Sequence, residues 1–92
     1  MMVSIKRVVL DVLKPHQPNV IELSTAIVEL GDDYRVRLTV IELDTKTETL
    51  QLEVTGNELD FALIESTLKD MGASLHSIDE VEAQNRNLSE LE

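Results

Sequence analysis

The side chains of this 92-residue chain that could do chemistry are mostly carboxylates, with two histidines. Asp11 sits in the middle of a β-branched run, where strand propensity disfavours it and an unpaired charge is costly to bury. Glu42 and Asp44 close a second such run, Glu48 opens a third, and Asp79, Glu80 and Glu82 follow His76 in the last. Hard oxygen donors suit Ca²⁺ or Mg²⁺, and no soft ligand competes with them here. Asp11, Glu42, Asp44 and Asp79 are therefore the candidate cation ligands. The chain has no EF-hand spacing, so such a site has to be assembled from separate segments or separate chains. For Asp11, an ion pair with Arg7, Arg35 or Arg37 is an alternative explanation. His76 is a candidate ligand or pH-sensitive contact, against a structural hydrogen bond as the commoner role. His16, between Pro15 and Pro18, reads as a solvated or hydrogen-bonded loop residue.

Other chemistries find little support. Without cysteine there is no disulfide, thiolate nucleophile or thiolate metal site. No Gly-x-Ser-x-Gly turn is present, and His76 and Asp79, three apart on a strand, would face opposite sides. The expectation is a protein that is not an enzyme, with no catalytic or cofactor-binding residues to assign. Eighteen acidic against eight basic side chains give a net charge of −10, which repels phosphate backbones and argues against nucleic acid as a partner. No apolar run is long enough to span a bilayer, and the N-terminus lacks a signal-peptide core, so a soluble cytoplasmic protein is expected. Hydrophobic residues at 42% suffice for one packed domain.

The elements that must position these groups follow from periodicity. Residues 4–13 alternate as a strand, with Val8, Leu10 and Val12 on one face and Arg7, Val9, Asp11 and Leu13 on the other; a loop then runs from Lys14 to Pro18. Val20, Leu23, Ile27 and Leu30 form one helical stripe, with Pro18 in the first turn and Gly31 in the left-handed position past its end. Residues 34–43 and 48–55 alternate around the turn 44–47, an antiparallel hairpin. Asn57 is the expected N-cap of a second helix with the stripe Phe61, Ile64, Leu68 and Met71, ended by Gly72. A last strand is expected over 73–81, within a single domain of residues 1–83, and a polar tail over 84–92.

The order βαββαβ with right-handed crossovers predicts an α+β, ferredoxin-like sandwich: a four-stranded antiparallel sheet with both helices on one face. The first and third strands should be central. The open face would then carry Val9, Asp11, Leu13, Gln51 and Glu53, and exposed Val9 and Leu13 would invite cover by another subunit. A fold with many uses requires function to come from residues. RNA recognition lacks its stacking aromatics, with only Tyr34 and Phe61 present; a metallochaperone lacks paired cysteines; an acylphosphatase lacks its arginine loop. An ACT-like amino-acid sensor, holding its ligand between subunits, is weakened by two prolines where a glycine turn is usual.

The segments Val9-Leu10-Asp11-Val12-Leu13-Lys14-Pro15-His16, Ile41-Glu42-Leu43-Asp44-Thr45 with Thr47-Glu48-Thr49, and His76-Ser77-Ile78-Asp79-Glu80-Val81 resemble a small archaeal family known as domain of unknown function 211. The likeness runs from Ile5 to Ala83. It implies a ferredoxin-like fold, a ring-like homo-oligomer and calcium binding, and no enzymatic activity. The combined expectation is a non-enzymatic, oligomeric binding or regulatory protein with acidic, Ca²⁺-binding surfaces and an unknown small-molecule ligand. Leu88 and Leu91 are expected to dock the tail onto its own sheet or a neighbour.

Overall fold

The computed structural model describes residues 3–85. Strand β1 runs Val3–Pro15, α1 Val20–Val28, β2 Arg35–Leu43, β3 Thr47–Thr55, α2 Phe61–Asp70 and β4 Ser74–Asn85. All pairings are antiparallel and the strand order is β2-β3-β1-β4, so the first and third strands are central as expected. The inward parity of the central strands (Val8, Leu10 and Val12 with Leu50, Leu52 and Val54) packs against Leu23 and Ile27 of α1 and Ile64 and Leu68 of α2. Both helices therefore cover one face. Each such side chain, fully buried, is worth about 1.5–3 kcal/mol relative to exposure. No helix among the described residues is long and apolar enough to cross a membrane.

The helix ends differ from expectation in instructive ways. α1 is capped by Asn19, whose side chain accepts from the Glu22 N–H at 2.9 Å while the Glu22 carboxylate accepts from the Asn19 N–H at 3.2 Å. This reciprocal capping box fixes the N-cap at Asn19 and the helix start at Val20, which leaves Pro18 outside the helix. Gly31 is not left-handed, since Gly72 is the glycine with positive φ, at 80°. Its small size is needed for another reason: a Cβ there would lie 2.4 Å from the Tyr34 ring. Tyr34 in turn accepts the Asp60 N–H on its hydroxyl at 2.7 Å.

α2 is capped by Asp60, not Asn57. Leu59 is buried and its N–H donates to the Ile5 carbonyl at 2.8 Å, which holds residues 57–60 out of the helix. Asn57 instead accepts twice from the Lys6 ammonium and donates its N–H to Asp33.

The strands are longer than periodicity suggested. β1 continues through Lys14 to Pro15, and β4 continues to Asn85, so Gln84 and Asn85 pair with Ser4 and Val3. Residues 86–92, with Leu88 and Leu91, lie outside the described residues.

Candidate functional site

The four candidate cation ligands do not meet within one chain. Asp11 lies mid-sheet on β1, opposite Gln51 and Ser77. Glu42 closes β2, Asp44 begins the hairpin turn, and Asp79 lies on β4. β2 and β4 are opposite edges, three inter-strand spacings or about 14 Å apart, while Ca²⁺–oxygen distances are about 2.4 Å. Among the described residues no three histidine or carboxylate side chains gather as a metal site. Nor does Asp11 form the alternative ion pair: Arg7 bonds Glu53 and Glu80 instead.

His76 and Asp79 share a different property. β1 pairs Asp11 with Ser77 but Val12 with Leu75, and Val9 with Glu80 but Leu10 with Ile78. His76 and Asp79 are thus the extra residues of two β-bulges, devices that bend an edge strand and interrupt its alternation. Asp79 accepts a hydrogen bond from the Ser77 hydroxyl at 2.7 Å.

The most organised ionic group is one that sequence reasoning did not select. Lys14 points into the helix side of the sheet and is wholly buried. Its ammonium donates to the carbonyls of Pro15 at 2.7 Å and Pro18 at 2.5 Å, and lies 2.9 Å from Glu48 Oε1. The other Glu48 oxygen faces His16 Nδ1 at 3.2 Å, and His16 Nε2 faces the carbonyls of Asp44 and Thr45 at 3.0 and 3.2 Å. Both imidazole nitrogens thus meet acceptors, an arrangement that favours the doubly protonated ring. The Glu48 carboxylate, then the two hairpin carbonyls, raise the His16 pKa above its ordinary value, although partial desolvation opposes them. Glu48 is held below the usual carboxylate range, chiefly by Lys14 and then by His16. Parity was the available signal: continuing the inward set 8, 10, 12 gives Lys14, and 54, 52, 50 gives Glu48, its cross-strand partner.

The open face has its own ion cluster. Arg7 Nε donates to Glu53 at 2.5 Å and Nη1 to Glu80 at 2.7 Å, which raises the guanidinium pKa, Glu80 being the larger cause. Glu53 and Glu80 are the residues directly across from Val9 on β3 and β4. The bridged trio roofs Val9, which is only 2% exposed. The expectation that Val9 lies bare on this face is therefore corrected. Exposed apolar side chains occur elsewhere: Val40, Ile41 and Leu43 at the end of β2, and Ile78 and Val81 on β4.

The comparisons with known proteins agree with one another. The family model DUF211, described as "Uncharacterized ArCR", matches residues 6–91. An uncharacterized protein of Methanocaldococcus jannaschii is 38% identical over 87 residues, covering 95% of this chain and 90% of that protein.

Proposed function

The chain belongs to the DUF211 family, and from that premise we propose that it is a non-enzymatic cytoplasmic binding protein that assembles with copies of itself, edge to edge. One observation carries this reading: the two opposite sheet edges bear complementary apolar features. β2 presents Ile41 and Leu43, 58% and 67% exposed. Beside β4, an apolar groove of about 220 Å³ is lined by Ile5, Val8, Phe61, Ile78 and Val81. Exposed apolar groups on free strand edges invite pairing with another chain. A contact between two different surfaces repeats head to tail and closes into a ring when the rotation permits.

The same geometry gives the dispersed carboxylates a use. Across a β2-to-β4 contact, Glu42 and Asp44 of one copy would approach Asp79 of the next, so a Ca²⁺ or Mg²⁺ site belongs between chains. The ACT-like sensor is less well supported, because the Lys14 ammonium already occupies carbonyls of the loop after β1 from within.

Light scattering after size exclusion tests the assembly, with an expected mass several times 10.3 kDa. Ile41→Asp with Leu43→Asp should reduce it to the single-chain mass and abolish Ca²⁺ binding in calorimetry. A single-chain mass for the unaltered protein at micromolar concentration overturns the assembly. Calcium binding that survives in the monomeric variant overturns the placement of the cation.

A further inference from the structure

The open face holds a second feature, toward the start of β2 and apart from the apolar groups at that strand's end. Across three strands its residues form rows: Arg35 beside Thr55 beside Arg7, then Arg37 beside Glu53 beside Val9, then Thr39 beside Gln51 beside Asp11. Between Arg7, Arg35, Arg37, Glu53 and Thr55 lies a depression of about 260 Å³, and a second of about 350 Å³ continues it along Thr39 and Gln51. Three of the eight basic side chains of a strongly acidic protein are gathered here.

Arg35 and Arg37 are the informative pair. They are two residues apart on one strand and share a face, so their backbones are roughly 7 Å apart and their like charges repel. Among the described residues neither forms an ion pair or a side-chain hydrogen bond, although the chain carries eighteen carboxylates. Arg7 differs: its Nε and Nη1 are already committed to Glu53 and Glu80. Glu53 therefore marks the inner limit of the positive region, and the free guanidinium forks lie on the β2 side. A guanidinium presents a planar fork that matches the paired oxygens of a carboxylate or phosphate. The hydroxyls of Thr39 and Thr55 and the amide of Gln51 add neutral donors around it.

We propose that this depression binds a small polyanion, a molecule carrying two or more phosphate or carboxylate groups, with Arg35 and Arg37 as its principal ligands. The spacing of roughly 7 Å between the two backbones leaves room for two anionic groups a few bonds apart. A macromolecular polyanion is disfavoured, because the net charge of −10 repels it outside this patch.

Calorimetry at low ionic strength tests the site on the full chain, with pyrophosphate and citrate as probes of the two chemistries and acetate as a single-charge control. Saturable binding of pyrophosphate or citrate, exceeding that of acetate, is expected, and the tighter probe identifies the ligand class. Arg35→Gln with Arg37→Gln should raise Kd by at least about tenfold, whereas Lys46→Gln, which removes one charge from the hairpin turn, should leave it within about twofold. Arg37→Lys should fall between, because charge without the fork is retained. The proposal is overturned if neither probe binds, or if Lys46→Gln weakens binding as much as the double variant. It is equally overturned if the double variant, with its melting temperature intact, loses assembly mass, since the arginines would then serve the carboxylates of a second copy.

Discussion

Two ion clusters sit at opposite ends of β3 and on opposite faces of the sheet, and their chemistry is nearly the same. Near the hairpin, Lys14 meets Glu48 and, through it, His16; near the other end, Arg7 meets Glu53 and Glu80. Their surroundings differ completely. Lys14 is fully buried and closes on backbone carbonyls of its own loop, whereas the Arg7 side chain is 30% exposed and bridges three strands over water. Burial turns a cation into a clamp, because desolvated charges cannot be left unpaired. Exposure turns the same pairing into a roof over one valine, with unpaired arginines beside it that remain available to a ligand.

The largest expected effect breaks the buried cluster. Lys14→Met keeps the side-chain volume but leaves Glu48 and the loop carbonyls without their ammonium, so stability should fall by on the order of 3 kcal/mol, read as a melting temperature lower by more than about 10 °C. Adding Glu48→Gln should recover part of that loss, and a strictly additive double variant would show that the two groups are not coupled.

A smaller effect follows from pH. Because the His16 pKa is raised in the fold, the stabilisation it contributes is complete below its ordinary value of 6.5 and is lost as pH rises through the raised value. Glu48, lowered from 4.5, contributes above that value and loses its contribution as pH falls through the lowered one. The clamp is thus strongest between those limits. Melting temperature should decline as pH rises above 6.5, and His16→Gln should flatten that decline; an unchanged slope in the variant removes His16 from the account.

The smallest effect belongs to the open face. Arg7→Gln should change melting temperature less than either alteration above, since exposed ion pairs contribute little. It should also reduce the salt dependence of stability, because surface pairs are screened. A loss comparable with Lys14→Met would erase the distinction between the two clusters.

Most of the fold was legible because period-two and period-3.6 patterns report which face is buried, as at Val8, Leu10 and Val12 or at Leu23 and Ile27. The misread boundaries lie where side chains compete for backbone groups, at Asn19 and Asp60, and where a polar residue continues an apolar parity, at Lys14. The dispersion of the carboxylates was already contained in the expected strand order: Glu42 and Asp79 lie on opposite edges, so separate chains, and not one chain, would have to bring them together. Val9 was misjudged because its cover comes from an arginine spanning two strands, which depends on register. Arg7, Arg35 and Arg37 were legible together as candidate partners of Asp11, but not the register that sets Arg7 against Glu53 and Glu80, since that needs the pairing of the strands.

The central place of β1 has a consequence for biosynthesis. β1 is made early, yet its partners are β3 and β4, and Val3 pairs with Asn85. During translation the apolar run Val8-Val9-Leu10 must therefore wait, first for the hairpin and then for β4. Until β4 emerges from the ribosome, the nascent chain exposes one unpaired edge of the strand that carries the most buried residues. Chains stalled before that point would carry the same open edge, a template for pairing with other chains.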